Sequence, residues 1–289
     1  MEQWIDLHTH TLFSDGSCTP EELVSYAKEK GLFAIALTDH DTTDGLDSAI
    51  ENGKKQGVYV IPGIELSSDY NGKDIHILGY FIDYKNANLI ENLRLFQELR
   101  RKRNIKMIRL LREGGYDISL QNLYEIYGKE SVITRMHLAK ALFDKGYVKD
   151  IPTAFATILA KDSPYYVPRE GISPEKAVSL IRESNGTAVL AHPTLYRLSD
   201  EKLRELLSVL KAMGLSGIET YYSTYTEEQT EYIKTIAEEF DLFPTGGSDY
   251  HGTSKPHIDL GIGKGNLKIP ATLLNSFPQW PEYKDSYFR

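Results

Sequence analysis

Short hydrophobic runs recur along the chain and alternate with longer stretches whose apolar residues follow a helical period. The runs are rich in β-branched and aromatic residues and end at turn residues, which is typical of buried parallel strands. They predict seven strands, at residues 3–7, 33–38, 58–64, 74–82, 187–191, 216–220 and 242–246. Strands that alternate with helices indicate a parallel sheet, and seven such units favour an incomplete or distorted (β/α) barrel over an open sheet.

Helix-capping signals mark the helices between these strands. The segment 19–22, Thr-Pro-Glu-Glu, is a capping-box sequence with proline in the first turn, and Gly31 ends that helix. Similar patterns predict helices at residues 173–186, 199–213 and 226–240.

The alternation stops between residues 86 and 165. Residues 88–112 predict a long, basic, amphipathic helix, and further helices are predicted at 119–127, 134–145 and 151–160. No strand is predicted here, so we interpret residues 86–165 as a helical insertion. Residues 1–85 and 166–289 then form the barrel. We interpret the four consecutive cations at 100–103 as a solvated helix face rather than a track for RNA.

Composition places the chain among ordinary globular proteins. Its 289 residues are 41% hydrophobic and 26% charged, which excludes collagen, coiled coil and extensive disorder. Cys18 is the single cysteine, so an intramolecular disulfide and a Cys-rich zinc finger are excluded. The net charge of −8 argues against binding of long duplex nucleic acid. Because apolar runs stay far below about 18 residues and no leader pattern is present, we expect a soluble, cytoplasmic protein that does not bind membranes.

Six histidines and three carboxylates lie at or near the ends of predicted strands. His8 and His10 alternate on the first strand, so both imidazoles face the same side. In a (β/α) barrel, the carboxyl ends of the strands form the face that carries the site. This donor set suits Zn, Mn or Fe, and because one ion takes about four to six ligands, nine donors indicate two or three ions. The candidate ligands are His8, His10, Asp15, His40, Glu65, His76, His192, Asp249 and His251.

These residues lie in motifs that resemble those of the PHP (polymerase and histidinol phosphatase) family. The motifs are Asp-Leu-His-Thr-His at 6–10, Leu-Thr-Asp-His-Asp at 37–41, Gly-Ile-Glu at 63–65, Ala-His-Pro at 191–193 and Gly-Ser-Asp-Tyr-His-Gly at 247–252. The resemblance covers nearly the whole chain. It implies a distorted (β/α)7 barrel of the α/β class that holds a trinuclear metal site.

The resemblance also implies which side chains hold each ion. His8, His10, Glu65 and Asp249 would bind the first ion, Glu65, His76 and His192 the second, and Asp15, His40 and His251 the third. Two or three divalent ions are expected, with manganese preferred and zinc or iron as alternatives. Asp15 stands where several members of the family have histidine, which changes the charge of the third site. A metal-bound hydroxide would attack the phosphate ester, with no catalytic protein residue beyond it.

Further acidic residues near these motifs are candidates for orienting the imidazoles. Glu219, at the end of the sixth predicted strand, is left outside the ligand set for this reason. Three aspartates within the ligand motifs belong to the same class: Asp6, Asp39 and Asp41.

Within the insertion, the segment Thr-Arg-Met-His-Leu-Ala at 134–139 resembles the signature of the nucleotide phosphoesterase branch of that family. In that branch the Arg and the His hold substrate phosphate, so Arg135 and His137 are candidate substrate-binding residues and the insertion is a substrate cap. The resemblance implies hydrolysis of nucleoside 3′,5′-bisphosphates or 5′→3′ hydrolysis of short oligoribonucleotides. A histidinol-phosphate phosphatase and a non-catalytic, metal-stabilised accessory module are the alternatives.

Overall fold

The seven hydrophobic runs become the strands of a single sheet in the computed structural model, which describes residues 2–168 and 171–289. The strands are β1 Ile5–Thr9, β2 Ala34–Leu37, β3 Tyr59–Tyr70, β4 Lys73–Tyr80, β5 Thr187–Leu190, β6 Gly217–Tyr222 and β7 Phe243–Gly247. They pair in chain order, from β1 to β7. Beyond β7, the amide of His10 donates to the Tyr250 carbonyl at 2.9 Å. This contact brings the two edges together, so the sheet nearly closes into the predicted barrel.

The sheet is not uniformly parallel, and the prediction was wrong for β4. This strand pairs antiparallel with both β3 and β5, whereas the other neighbours are parallel. The cause is the turn at Asn71 and Gly72, whose φ values of 52° and 75° fit a two-residue type I′ hairpin. Because β4 runs backwards, His76 in its first half lies opposite Ser67, beyond the middle of β3.

The described part of the chain also forms ten α-helices. They are α1 Pro20–Glu29, α2 Leu46–Gln56, α3 Ala87–Glu113, α4 Leu120–Tyr127, α5 Arg135–Asp144, α6 Ile151–Ala156, α7 Pro174–Glu183, α8 Asp200–Ala212, α9 Glu227–Glu239 and α10 Trp280–Tyr287. The capping box of α1 is confirmed, because Thr19 and Glu22 each accept the other's backbone amide. Helices α2 and α10 lie outside the predicted segments. None of these described helices is long and apolar enough to cross a membrane.

Helices α3 to α6 occupy the region between β4 and β5. The first half of α3 packs Leu89 and Phe96 into the core of the barrel, and its second half packs Met107 into a separate core with α4 to α6. Thus α3 joins two hydrophobic cores. Helix α6 ends at Ala156, earlier than the predicted residue 160. The boundaries of the insertion at residues 86 and 165 stay a prediction.

Both faces of the sheet are buried, which explains the nearly continuous hydrophobic runs. In β2, Ile35 and Leu37 pack with the surrounding helices, whereas Ala34 and Ala36 belong to a second cluster inside the barrel. The segment 267–280 contributes to this inner cluster and pairs with the start of β1, so it closes that end of the barrel. The opposite end is left for a functional site.

Candidate metal centre

All nine predicted ligand side chains lie at the open end of the barrel. They come from the strands and from the loops that follow them, and His76 joins them from the antiparallel β4. Their ligand atoms form four overlapping groups, in each of which the atoms lie within 4.8 Å of one another. The groups are His10, Asp15, His40 and His251; His8, His10 and Asp249; His8, Glu65 and His192; and His40, Glu65 and His76.

Glu65 is the carboxylate at the middle of this arrangement and is 1% exposed. Its Oε1 lies 2.8 Å from His76 Nδ1 and 3.0 Å from His192 Nε2. Its Oε2 faces three other imidazoles at 3.1–3.3 Å, those of His8, His10 and His40. Because the two oxygens face different histidines, Glu65 has the geometry of a carboxylate that bridges two cations.

The hydrogen bonding of the cluster tests whether it fits metal ions. Six buried side-chain atoms of the candidate ligands have no hydrogen-bond partner among the described residues: His8 Nε2, His10 Nε2, Asp15 Oδ1, His40 Nδ1, Glu65 Oε2 and His192 Nδ1. A buried polar atom without a partner costs about 1–3 kcal/mol, so six in one place indicate a missing ligand. Imidazole nitrogen and carboxylate oxygen are the donors that divalent transition metals accept. The residues therefore fit divalent metal ions.

The histidines keep the carboxylates of the cluster ionised. Burial raises the pKa of Asp15, but His40 and His251 outweigh it and hold that pKa well below its ordinary value. Glu65 shows the same balance, since burial opposes ionisation and His40 and His8 favour it more strongly, which lowers its pKa. Burial lowers the pKa of His40, which disfavours the protonated form of this imidazole. Ionised carboxylates and neutral imidazoles are the forms that bind metal.

His10 shows how strongly the cluster attracts positive charge. Burial lowers its pKa, but the carboxylates of Asp249 and Glu65, which lie 3.2 and 3.3 Å from its Nε2, outweigh burial and raise the pKa to about 9. A proton is held among the carboxylates when no other cation is there. Metal binding at this imidazole therefore competes with a proton.

Glu219 is the acidic residue that holds ligands in place. It is fully buried within β6, and its Oε1 lies 2.9 Å from His8 Nδ1. Its Oε2 accepts the backbone amide of His192 at 2.8 Å, where His192 has an uncommon φ of 23°. Glu219 thereby turns His8 Nε2 toward the centre and stabilises the strained backbone of a second candidate ligand.

The three aspartates expected to orient imidazoles accept hydrogen bonds from residues near the ligands. Asp6 accepts the amide and hydroxyl of Ser248, and Asp39 accepts the amide and hydroxyl of Thr11. Asp41 accepts the amide of Ser67 at 2.9 Å. These carboxylates hold the loops that carry the ligands.

A cavity of about 160 Å³ adjoins the metal ligands. Asp15, His40, His76 and His251 line one part of it, and four cationic side chains line another: Arg100, Arg103, Arg135 and Lys255. We call it the phosphate cavity. Lys255 Nζ donates to Asp249 Oδ2 at 2.6 Å, so one of these cations is bonded directly to a candidate ligand.

Arg100 and Arg103 contradict the interpretation of residues 100–103 as a solvated helix face. They are 8% and 6% exposed, whereas the side chains of Arg101 and Lys102 are 53% and 62% exposed. Residues three apart share a helix face. The buried stripe of α3 contains Leu93, Phe96 and Met107 together with both arginines. The helical spacing of the apolar residues in the sequence therefore indicated that Arg100 and Arg103 lie on the buried face.

The buried arginines lie close enough to affect each other. Arg100 donates to the carboxylate of Asp41 and, at 3.0 Å, to Ser67 Oγ. Arg103 donates to the Val167 carbonyl at 2.8 Å. Burial, together with the charges of Arg135 and Arg100, lowers the pKa of Arg103 to about 10. An anion in the phosphate cavity would relieve this repulsion.

The two substrate-binding candidates occupy different environments. Arg135 lines the phosphate cavity, and its Nη2 lies 2.6 Å from Asp74 Oδ2. His137 is 2% exposed, and its Nδ1 accepts the amide of Thr134 at 2.9 Å in the capping box of α5. Burial lowers the pKa of His137 to about 4. Thr134 in turn donates to Asp15 Oδ2 at 2.8 Å, which ties the start of α5 to the metal ligands.

Comparison with known proteins points to one family. Residues 6–242 match the model of the PHP domain. The chain is 32% identical to the 5′-3′ exoribonuclease of Haemophilus influenzae, over 98% of this chain and 100% of that protein. It is 32% identical to the 3′,5′-nucleoside bisphosphate phosphatase of Chromobacterium violaceum, over 89% of this chain and 90% of that protein.

A solved structure is similar across the whole fold. It is an amidohydrolase from Chromobacterium violaceum with bound sulfate and no metal. Its TM-score is 0.87 at 30% identity, and the superposition covers 97% of this chain and 96% of that one.

Proposed function

The chain belongs to the PHP domain family, and from that premise we propose that it is a metal-dependent phosphoesterase acting on nucleotides or short oligonucleotides. The observation that carries the proposal is the junction of nine metal-ligand side chains with a cavity lined by four cations. Two relatives that match most of the chain are named for such substrates. Sulfate bound by the similar solved structure has the shape and charge of a phosphate group. Cytoplasmic location stays a prediction.

We propose that the three ligand sets expected from the family hold two or three divalent ions, with manganese preferred. Glu65 Oε1 faces His76 and His192, which fits the second set, and Oε2 faces His8 and His10, which fits the first. Oε2 also lies 3.1 Å from His40 of the third set, so Glu65 adjoins all three. His251 Nε2 lies 3.1 Å from Asp15 Oδ1, as the third set requires. When bound, divalent ions supply Lewis-acid activation of water and of the phosphoryl group.

The chain's own side chains bind the substrate and hold it in place for hydrolysis. Hydrolysis joins a water oxygen to phosphorus and breaks the bond to the ester oxygen, which leaves with a proton as an alcohol. Arg100, Arg103 and Arg135 bind phosphate oxygens, since a guanidinium fork matches their geometry. His137 supports Arg135 by holding the first turn of α5 through the capping box.

Two alternatives have less support. Histidinol phosphate carries an amine, and the four cations that line the phosphate cavity outnumber its two carboxylates, Asp15 and Asp74, so a protonated amine is disfavoured there. An accessory module that needs metal only for stability does not require these four cations beside the ligands, two of which, Arg100 and Arg103, are buried.

A panel of phosphate esters tests the proposal. With added Mn²⁺, we expect the highest kcat/KM on a nucleoside 3′,5′-bisphosphate or a 5′-phosphorylated oligoribonucleotide, and lower values on histidinol phosphate and p-nitrophenyl phosphate. The matched control is Asp249→Asn, which should lose activity on every ester together with metal affinity. Preference for histidinol phosphate, or no hydrolysis with Mn²⁺, Zn²⁺ or Fe²⁺, would contradict the proposal.

A further inference from the structure

Asp249 is a candidate ligand of the first ion, and its two carboxylate oxygens have different surroundings. Its Oδ1 lies 3.2 Å from His10 Nε2 and 3.6 Å from His8 Nε2, which are imidazoles of the same ligand set. Its Oδ2 accepts hydrogen bonds from the hydroxyl of Tyr222 and from Lys255 Nζ, each at 2.6 Å. The carboxylate therefore faces the ligand set with Oδ1, while its two donors hold Oδ2.

The main chain around Asp249 is held in place independently of its carboxylate. Asp249 has a φ of 58°, a left-handed conformation that is uncommon for residues other than glycine. On one side, the amide of Ser248 donates to Asp6 Oδ1 at 2.8 Å. On the other side, the amide of Tyr250 donates to the His8 carbonyl at 3.3 Å. Because these bonds fix the loop, the donors to Oδ2 decide how the side chain is turned.

Tyr222, one of these donors, is the last residue of β6 and is 4% exposed. Its ring packs against the ring of His192, with centroids 5.4 Å apart, and against the ring of Tyr225 at 5.2 Å. Burial and the charge of Asp249 raise the pKa of Tyr222 well above its ordinary value, so the phenol keeps its proton. Tyr222 thus contacts a ligand of the first set with its hydroxyl and a ligand of the second set with its ring.

An irregularity in β6 explains how Glu219 and Tyr222 reach the same cluster of ligands. In a regular strand, residues three apart point to opposite faces of the sheet. The pairing of β6 with β7 shifts register between Glu219 and Tyr221, and such irregularities redirect side chains next to active sites. As a result, one strand places Glu219 against His8 and Tyr222 against Asp249.

We propose that Tyr222 is a positioning residue for metal binding, whose hydroxyl turns the Asp249 carboxylate so that Oδ1 is presented to the first ion. The proposal rests on the proposed phosphoesterase function and adds a residue that acts through another side chain rather than on the substrate. The hydroxyl serves the first ligand set, whereas the ring supports His192 in the second set. Loss of the hydroxyl should therefore affect one ion, and loss of the whole ring should affect two.

Titration of the metal-free, full-length protein with Mn²⁺, followed by electron paramagnetic resonance, tests the proposal without hydrolysis. Tyr222→Phe keeps the ring and removes the hydroxyl. It should weaken the binding of one ion per chain by about 10- to 100-fold, the usual effect of removing a partner of a metal ligand. Tyr222→Leu removes the ring as well and should also weaken the binding of a second ion. Unchanged affinity in Tyr222→Phe would overturn the proposal, because Lys255 alone would then hold Asp249.

The matched control is Tyr225→Phe. Tyr225 is also buried, and its hydroxyl accepts the amide of Thr194 at 3.4 Å, so this variant loses a buried hydroxyl outside the ligand sets. Its Mn²⁺ affinity should equal that of the unmodified protein, and thermal unfolding in EDTA checks that both variants are folded. Equal weakening of Mn²⁺ binding in the two variants would overturn the proposal, because it would show an effect of packing alone.

Kinetics separate this inference from the proposed function. On p-nitrophenyl phosphate, Tyr222→Phe should need about 10- to 100-fold more Mn²⁺ for half-maximal activity, and most of the lost activity should return at saturating Mn²⁺. A loss of kcat that saturating Mn²⁺ does not restore would overturn the positioning role and leave the phosphoesterase proposal standing. Absence of hydrolysis of any phosphate ester by the unmodified protein would overturn the proposed function, while the Mn²⁺ titration would still decide the role of Tyr222.

Discussion

The barrel and the helical insertion contribute different chemistry to the same cleft. The open end of the barrel supplies all nine candidate metal ligands and the carboxylate of Glu219, which contacts His8 and His192. The insertion supplies Arg100, Arg103 and Arg135 to the phosphate cavity. The difference suggests a division of labour, in which the barrel carries out the reaction and the insertion selects the substrate. Substitutions on the two sides should therefore differ in kind as well as in size.

The largest effect should come from Glu65→Gln. An amide cannot bridge two cations as a carboxylate does, so we expect activity on every substrate to fall by at least about 1,000-fold, with loss of bound metal. The measurements are kcat/KM and elemental analysis of the purified variant. His76→Ala is the comparison, because His76 is half-buried at the edge of the cluster, and it should lose less. A smaller loss in Glu65→Gln than in His76→Ala would argue against a bridging role.

On the insertion side, Arg135→Ala should leave the metal content unchanged and lower activity selectively. A charge-assisted contact of about 2–4 kcal/mol implies a loss of roughly 30- to 1,000-fold in kcat/KM on substrates with a second phosphate. The loss on a simple chromogenic ester should be much smaller. His137→Ala should show the same pattern more weakly. Equal losses on both substrate types in Arg135→Ala would refute the division of labour at this residue.

A finer test compares neighbours on α3. Arg103→Met should lower kcat/KM on nucleotide substrates by about 10- to 100-fold, because it removes a buried cation from the phosphate cavity. Arg101→Met changes the same residue type on the exposed face and should change the rate less than about twofold. Comparable losses in both variants would mean that kcat/KM depends on the net charge of α3 and not on the position of Arg103 in the phosphate cavity.

Glu219→Gln should have the smallest effect on the rate when metal is saturating. Its expected effect is on metal affinity, which should fall about 10- to 100-fold because His8 loses the carboxylate that orients it. Titration with Mn²⁺ measures this directly, with thermal unfolding as the control for folding. Unchanged affinity would show that Glu219 serves only the packing of the barrel.

Much of the barrel could be predicted because its strands are buried on both faces. Seven hydrophobic runs gave the correct number of strands, and the family, the fold class and the phosphoesterase class are confirmed. Residues at the ends of neighbouring strands lie close together even when they are distant in the sequence. The nine candidate ligands could therefore be named from their positions at or near the predicted strand ends. Their binding of metal stays a prediction.

The features that the sequence did not predict depend on the direction of a strand and on contacts between residues that are distant in the sequence. The Asn71-Gly72 turn signals a hairpin, yet the alternation of strands and helices elsewhere favoured a parallel β4. Arg100 and Arg103 continue the apolar stripe of α3, but their charge led to the prediction of a solvated face. Glu219 was predicted to orient imidazoles, but the sequence did not show which ones: it is 211 residues from His8, and only the folded barrel reveals their contact.

Elemental analysis of the divalent ions bound per chain, on samples of known activity, separates the role of the barrel from that of the insertion. We expect two or three ions in the unmodified protein and in Arg135→Ala after saturation with Mn²⁺, and fewer in Glu65→Gln. One ion or fewer in fully active protein, or loss of metal in Arg135→Ala, would contradict a barrel that performs the chemistry and an insertion that selects the substrate.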